Sequence, residues 1–384
     1  MKCYLDNAAT TQALDKAAEK MVHALRVDYG NPSSLHNMGM DAENLIKDSR
    51  QIIAKTLKAK PGEIVFTSGG SESNNLAIFG TVRSRKRYGR HIITTMVEHP
   101  AVREPLAALE AEGYEVTRLH VDSRGIIYIG ELEKAMRDDT VLVSIMHVNN
   151  EIGSVMPIED AASVIHSHNP NTYFHVDAIQ SYGKIPVFPG RIGVDLMSVS
   201  GHKLHGPKGS GFLYVRDGIS LSPIIYGGGQ ESGLRSGTEN VPAIAGLGVA
   251  VADLFEDHES KISHMRQLRN RLCSGLLEID GISINGPDPD MAAPHIVSTT
   301  VRGVRAEVLL HALEEDEIYC SAGSACSSNR PAKSKTLAAI GLKGDALEQT
   351  VRFSLSVHTT EEEIEYALVK MSEIVPRLAR FVRR

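Results

Sequence analysis

Cysteine is scarce in this chain of 384 residues, with only Cys3, Cys273, Cys320 and Cys326, and none of the four forms a Cys-x-x-Cys pair. That scatter argues against a disulfide framework and fits a reducing compartment, where an isolated thiol is either buried or reactive. No apolar run approaches the roughly 20 residues that a membrane-spanning helix needs. The opening stretch Met1–Asn7 turns polar too soon for the apolar segment of a secretory signal. A cytoplasmic protein without membrane contact is the expectation. Excess positive charge is also missing: the formal net charge is −6, which gives no basic field for nucleic acid or anionic lipid. Basic residues do gather at Arg83–Arg87 and Arg377–Arg384, where they read as solvated helix ends. There is no internal repeat and no low-complexity linker.

What the chain does have is a hydrophobic content of 42%, ample for a large core and, at this length, for two domains. Short β-rich runs alternate with amphipathic stretches between about 62 and 215. Strands are expected at 63–67, 91–95, 115–119, 141–146, 173–176, 195–199 and 211–215, with helices at 101–112, 129–137 and 158–168. Such alternation predicts an α/β fold with a mostly parallel, seven-stranded sheet covered on both faces, and ligands at the carboxyl ends of its strands. Beyond about 256 the pattern changes to a long helix at 260–279, strands at 296–301 and 351–355, and a closing helix at 361–382. The expected division is a large unit over 15–255 and a smaller α/β unit over 256–384, joined by residues 1–14.

Polar residues of chemical interest follow the strand ends. Ser198-Val-Ser-Gly-His-Lys203 sets a lysine on a rigid turn beside hydroxyl and imidazole groups, a suitable place for a Schiff-base nucleophile. A lone loop lysine is usually only solvated, so this segment needs support. His202 and His205 make a poor metal pair, because no carboxylate or cysteine lies at ligand spacing. In His175-Val-Asp177-Ala-Ile-Gln180 an acid ends a strand, and a buried aspartate needs a cationic partner such as a protonated pyridine nitrogen. Thr67-Ser-Gly-Gly70-Ser71-Glu-Ser-Asn-Asn75 is a strand-to-helix turn whose amides would cradle a phosphate, without the spacing or lysine of a nucleotide-binding P-loop. Val97-Glu-His99-Pro100 brings an imidazole that could stack on a planar cofactor. Each signal is weak alone; phosphate cradle, pyridinium acid and Schiff-base lysine together describe one molecule, pyridoxal 5′-phosphate.

With these residues in view, the chain resembles the cysteine desulfurases of the class V aminotransferase group, which have the type I pyridoxal-phosphate fold. The resemblance runs from Tyr4-Leu-Asp-Asn-Ala-Ala-Thr-Thr11 to Arg352-Phe-Ser-Leu-Ser and Thr359-Thr-Glu-Glu-Glu363, and includes His147-Val-Asn-Asn-Glu-Ile-Gly153, Arg235-Ser-Gly-Thr238 and Ser321-Ala-Gly-Ser-Ala-Cys-Ser-Ser328. It implies that Lys203 carries the cofactor and moves protons, that Asp177 pairs with the ring nitrogen, and that Gln180 and Asn150 contact the ring oxygen or the substrate. It implies further that His99 stacks on the ring and assists proton transfer. Gly70, Ser71, Ser200 and His202 would hold the phosphate, with Thr238 reaching it from the other subunit of a homodimer. Arg352 would clamp the substrate carboxylate, for which its planar fork is suited.

Cys326 lies among Ser, Ala, Gly, Asn and Pro, a composition that reads as an exposed, mobile loop in which a thiol serves reactivity rather than packing. Cys320, Cys3 and Cys273 take the structural reading. The family string more often has Ser where Ala322 stands, a mild departure. The implied reaction converts L-cysteine to L-alanine and leaves the sulfur on Cys326 as a persulfide. An iron–sulfur scaffold or a sulfur-relay protein feeding tRNA thiolation would be the acceptor. No resident metal is expected, although Cys326 would meet a persulfide acceptor or a transferred iron–sulfur cluster. Competing readings are a selenocysteine lyase, an aminotransferase of the same fold, or a cofactor-free sulfur carrier.

Overall fold

The computed structural model describes residues 1–323 and 333–382. In chain order its strands are β1 (Cys3–Tyr4), β2 (Ile64–Thr67), β3 (His91–Thr95), β4 (Glu115–Leu119), β5 (Thr140–Met146), β6 (Tyr173–Asp177) and β7 (Leu196–Ser200). They continue with β8 (Gly211–Val215), β9 (Ile282–Asn285), β10 (Ile296–Val301), β11 (Ile318–Tyr319), β12 (Ser321–Ala322) and β13 (Thr350–Ser354). One seven-stranded sheet has the order β2-β8-β7-β6-β5-β3-β4. From β7 to β4 every pairing is parallel, and β8 runs antiparallel to both β2 and β7. The strands expected from the sequence are the strands of this sheet.

Near-continuous apolar runs such as Val141-Leu-Val-Ser-Ile145 form strands here because both faces of the sheet are buried. Side chains alternate between the faces. Ile93, Val143 and Phe174 share a core with Ile46 and Ile53 of helix Asn37–Leu57, Ile165 of helix Ile158–His168, and Leu247 of helix Val241–Phe255. Their neighbours Ile92, Leu142 and Tyr173 pack instead with Ile78 of helix Gly70–Ser84 and Val102 and Leu106 of helix Pro100–Ala111. The parallel register places Met146, Asp177 and Ser198 side by side. The carboxyl ends of β5, β6 and β7 therefore lie together on one edge.

The later part of the chain builds a second, antiparallel sheet of four strands in the order β12-β13-β10-β9. Helices His258–Leu277, Ala306–Glu314 and Glu361–Val382 share its core through Leu272, Leu309 and Met371. The chain start is built into this core as well. β1 pairs in parallel with β11, Leu5 is fully buried, and Leu5 and Ser354 join through an amide–carbonyl bond of 2.7 Å. Strands β1, β9 and β12 are additions to the sequence reading; β1 and β12, two residues each, carry too little alternation to register. Among the described residues no helix is long and apolar enough to cross a membrane.

Leu5 is thus a large side chain at the junction of the chain's two ends. Leu5→Ala is expected to destabilise the protein by about 2–5 kcal/mol, read by urea denaturation. A loss below about 1 kcal/mol would mean that the chain start contributes little to this core.

Candidate active site

A cavity of about 310 Å³ opens at the carboxyl edge of the large sheet. It is lined by Lys203, Asp177, His99, Asn150, Gln180 and Arg352, and by Gly70, Ser71, Ser200 and His202. Two site residues named by the resemblance are not in this set. Thr238 is exposed and does not line the cavity. Cys326 lies outside the described residues.

Asp177 is the last residue of β6 and is 4% exposed. Its Oδ2 accepts from Asn74 Nδ2 at 2.8 Å and its Oδ1 from the amide of Ile179 at 3.0 Å. Burial pushes its carboxyl pKa up, while the Ile179 amide, His99, Asn74 and Lys203 pull it down. His99 caps helix Pro100–Ala111: its Nδ1 accepts from the amide of Ala101 at 3.1 Å. In the neutral ring that bond puts the proton on Nε2. Burial holds the imidazole below its ordinary pKa, against the opposing charge of Asp177.

Lys203 closes the 3₁₀ turn Gly201–Lys203 that follows β7. Its Nζ donates to the carbonyls of Ala8 and Ala9, each at 2.6 Å. The carbonyl of Lys203 in turn accepts from Nζ of buried Lys184 at 3.0 Å. Desolvation, and then the charge of Lys203, bring Lys184 down to about 7. The anchoring of the lysine turn by Ala8, Ala9 and Lys184 has no counterpart in the sequence signals.

Gly69 and Gly70 show why the turn before helix Gly70–Ser84 is glycine. Gly69 has φ 145° and ψ −173°, a conformation almost confined to glycine. A Cβ on Gly70 would come within 2.2 Å of Ile179 Cδ1 and force that cavity-lining side chain to shift. With Ser71 and the hydroxyl of Ser200 beside it, this helix start offers donors and a favourable dipole to an anion.

Gln180, also in the cavity lining, is held by two bonds: its Nε2 donates to the Ala8 carbonyl at 2.9 Å, and its Oε1 lies 3.2 Å from His295 Nε2. Arg352 is 3% exposed. Its Nη1 donates to the carbonyl of Asn150 at 2.9 Å and its Nη2 to Asp6 Oδ1 at 2.8 Å, while the buried Nε has no partner among the described residues. A buried guanidinium with an unsatisfied N–H in a cavity wall is prepared for a carboxylate.

The described cysteines offer no ready thiolate. Burial pushes Cys3 up to about 12 and raises Cys320 and Cys273, which keeps each in the poorly nucleophilic thiol form.

Against known proteins, residues 3–367 match the family model described as aminotransferase class-V. The chain belongs to the class-V aminotransferase family. A protein of Dictyoglomus turgidum called cysteine desulfurase IscS is 41% identical over 376 residues, covering 98% of this chain and 95% of its own. Its namesake from Klebsiella pneumoniae is 45% identical over 380 residues, covering 98% and 93%. Among solved structures, one called NifS-like protein superimposes with a TM-score of 0.92 at 40% identity, covering 98% of this chain and all of its own. Another, titled SspA in complex with cysteine, has a TM-score of 0.82 at 38% identity, covering 94% of this chain.

Pyridoxal 5′-phosphate is the cofactor of this family, and the residues present fit it. The cavity combines an amine for its aldehyde, a buried carboxyl for its ring nitrogen and a glycine-led helix start for its phosphate.

Next to His99, Glu98 is 5% exposed; its Oε1 accepts from Thr95 Oγ1 at 2.8 Å and from the Met146 amide at 2.9 Å, tying β3 to β5. Burial raises its carboxyl from 4.5 to about 8. The folded state then holds this proton more tightly than the unfolded one, so the stabilisation is complete below pH 4.5 and is lost as pH rises towards 8. Buried His147 and His205 and half-buried His202, each lowered to about 4, work in the opposite sense. Their contribution is present above pH 6.5 and is lost as pH falls towards 4. Glu98→Gln keeps the acceptor oxygen but cannot ionise. Urea denaturation across pH should show the variant more stable than the parent by about 2 kcal/mol near pH 9, with the acid side unchanged. Parallel profiles at every pH would contradict the raised pKa.

Proposed function

We infer that this protein is a cysteine desulfurase that takes L-cysteine, releases L-alanine and passes the sulfur atom to its own Cys326. The observation that carries this reading is a single cavity joining the Lys203 amine, the buried carboxyl of Asp177, the imidazole of His99 and the unsatisfied Nε of Arg352. Bound pyridoxal phosphate supplies the electron sink that makes the substrate's α-proton removable and its C–S bond labile.

The chain's own groups do the rest. Lys203 Nζ holds the cofactor, then takes the substrate α-proton and later returns it. Asp177 keeps the positive ring nitrogen paired, while Gly70, Ser71, Ser200 and His202 hold the phosphate, with Thr238 of the partner subunit. His99 would stack on the ring and, with its proton on Nε2, could supply the proton that the substrate carbon takes up when the C–S bond breaks. Gln180 and Asn150 orient the ring oxygen and the substrate, and Arg352 receives the carboxylate. The Cys326 thiolate then attacks the substrate sulfur. The new S–S bond forms as the C–S bond breaks, its electron pair stays on carbon, and protonation there gives alanine. Cysteine and a thiol thus become alanine and a persulfide, with atoms and electrons balanced. The raised pKa values of Cys3, Cys273 and Cys320 support giving the nucleophile's part to Cys326.

The same reading places residues 15–255 in a cofactor-binding unit and 256–384 with 1–14 in a smaller one that carries the sulfur acceptor. It makes the protein a cytoplasmic homodimer. Exposed Val22, Leu25, Val27, Tyr29, Leu35 and Tyr226 offer apolar surface for a second copy to cover. The persulfide would pass to an iron–sulfur scaffold or sulfur-relay protein.

Lys203→Ala should abolish alanine formation, since both the cofactor tether and the base are lost. Cys326→Ser should retain the cofactor and still bind L-cysteine, yet lose alanine release and the persulfide. Both are checked by amino-acid analysis and by mass spectrometry of alkylation-protected protein after one turnover, looking for one added sulfur atom. Near-normal alanine from Lys203→Ala, or the added sulfur on Cys320, would overturn the assignment.

A further inference from the structure

Asp6 has no part in the reaction as described, yet it touches the residue that takes the substrate. It follows β1, and its backbone bridges in parallel to Ser354, the last residue of β13. Its Oδ1 accepts from Arg352 Nη2 at 2.8 Å and from Ser321 Oγ at 2.7 Å. Ser321 is the cross-strand partner of Arg352, so the acceptor is braced from the neighbouring strand. Nη1 of Arg352 is occupied by the Asn150 carbonyl, and Nε alone lacks a partner among the described residues.

Side-on pairing of a guanidinium with a carboxylate uses Nε together with one Nη nitrogen. Here the adjoining nitrogen is Nη2, which carries two hydrogens, and Asp6 already takes one of them. A ligand carboxylate on Nε and Nη2 would therefore lie beside the carboxylate of Asp6, two anions on one buried cation. Like charges this close repel, and the low exposure of Arg352 leaves little water to screen them.

We propose that Asp6 is a positioning residue that sets the affinity of Arg352 for the carboxylate of substrate and product. It fixes the guanidinium and, as a competing anion, limits its grip so that the product amino acid leaves. The proposal rests on the reading of Arg352 as the carboxylate clamp. It distinguishes Asp6 from an ordinary structural partner, whose loss could only loosen binding.

Asp6→Asn tests it, because the amide keeps an oxygen for Arg352 and Ser321 and removes only the charge. Calorimetric titration of the holoenzyme with L-alanine should give a Kd about 3–10-fold lower in Asp6→Asn than in the parent. Ethylamine, which is alanine without its carboxylate, should bind both equally. Unchanged or weaker alanine binding in Asp6→Asn, with alanine binding lost in Arg352→Ala, overturns the proposal and leaves the clamp standing. Equal tightening of alanine and ethylamine also overturns it, since the effect would not act on the carboxylate. Parent-like alanine binding in Arg352→Ala removes the clamp reading and the proposal with it. Should Asp6→Asn fail to fold, Asp6→Ser, which also offers an oxygen without charge, is subject to the same outcomes.

Discussion

A carboxyl group buried at the end of a central strand is the constraint on which this molecule's site depends. Asp177 sits between β5 and β7 at the sheet's carboxyl edge, with 4% of its surface exposed. An ionised carboxylate there is costly unless a cation and good hydrogen bonds accompany it. The protein supplies two hydrogen bonds, from Asn74 and Ile179, and leaves beside them a cavity of about 310 Å³. A cationic ring nitrogen in that cavity would turn an unfavourable burial into a binding determinant. The other residues can be understood from that point: an amine on the next strand's turn, an imidazole on the other side, and a glycine-led helix start.

The two sheets divide the labour. The large parallel sheet holds the groups assigned to the cofactor, because its register sets Met146, Asp177 and Ser198 abreast. The smaller antiparallel sheet contributes Arg352 from β13. The first residues of the chain link them: Ala8 and Ala9 accept from Lys203, Ala8 also accepts from Gln180, and Asp6 accepts from Arg352. An N-terminal segment pinned by Leu5 thus meets both halves of the site.

Much of this was legible in the sequence because its signals are local. Short β-rich runs alternating with amphipathic stretches marked every strand of the large sheet, and Lys203, Asp177, His99 and the Gly70 turn each lie at or just after the end of one of those strands. What stayed hidden depends on distant contacts. Nothing in Tyr4-Leu-Asp6 announces that Asp6 would pair with Arg352, 346 positions away. Lys184, an ordinary lysine after a glycine, becomes notable only when buried beneath the carbonyl of Lys203. Glu98 stands in Val97-Glu-His-Pro100 as an ordinary acid, and only its burial in the fold gives it a raised pKa. Strands β1 and β12, two residues each, are defined by pairing rather than by composition.

The central claim is that Asp177 burdens the cofactor-free protein and stabilises the loaded one. Asp177→Asn tests both halves, because Asn74 Oδ1 is buried without a partner among the described residues and can turn to accept from the new amide. The measurement is the urea-unfolding free energy of the parent and Asp177→Asn, each with and without pyridoxal phosphate, at neutral pH. The account predicts opposite signs: the variant is more stable than the parent when cofactor-free, and less stable by at least about 2 kcal/mol when loaded. A change of the same sign in both states would contradict it.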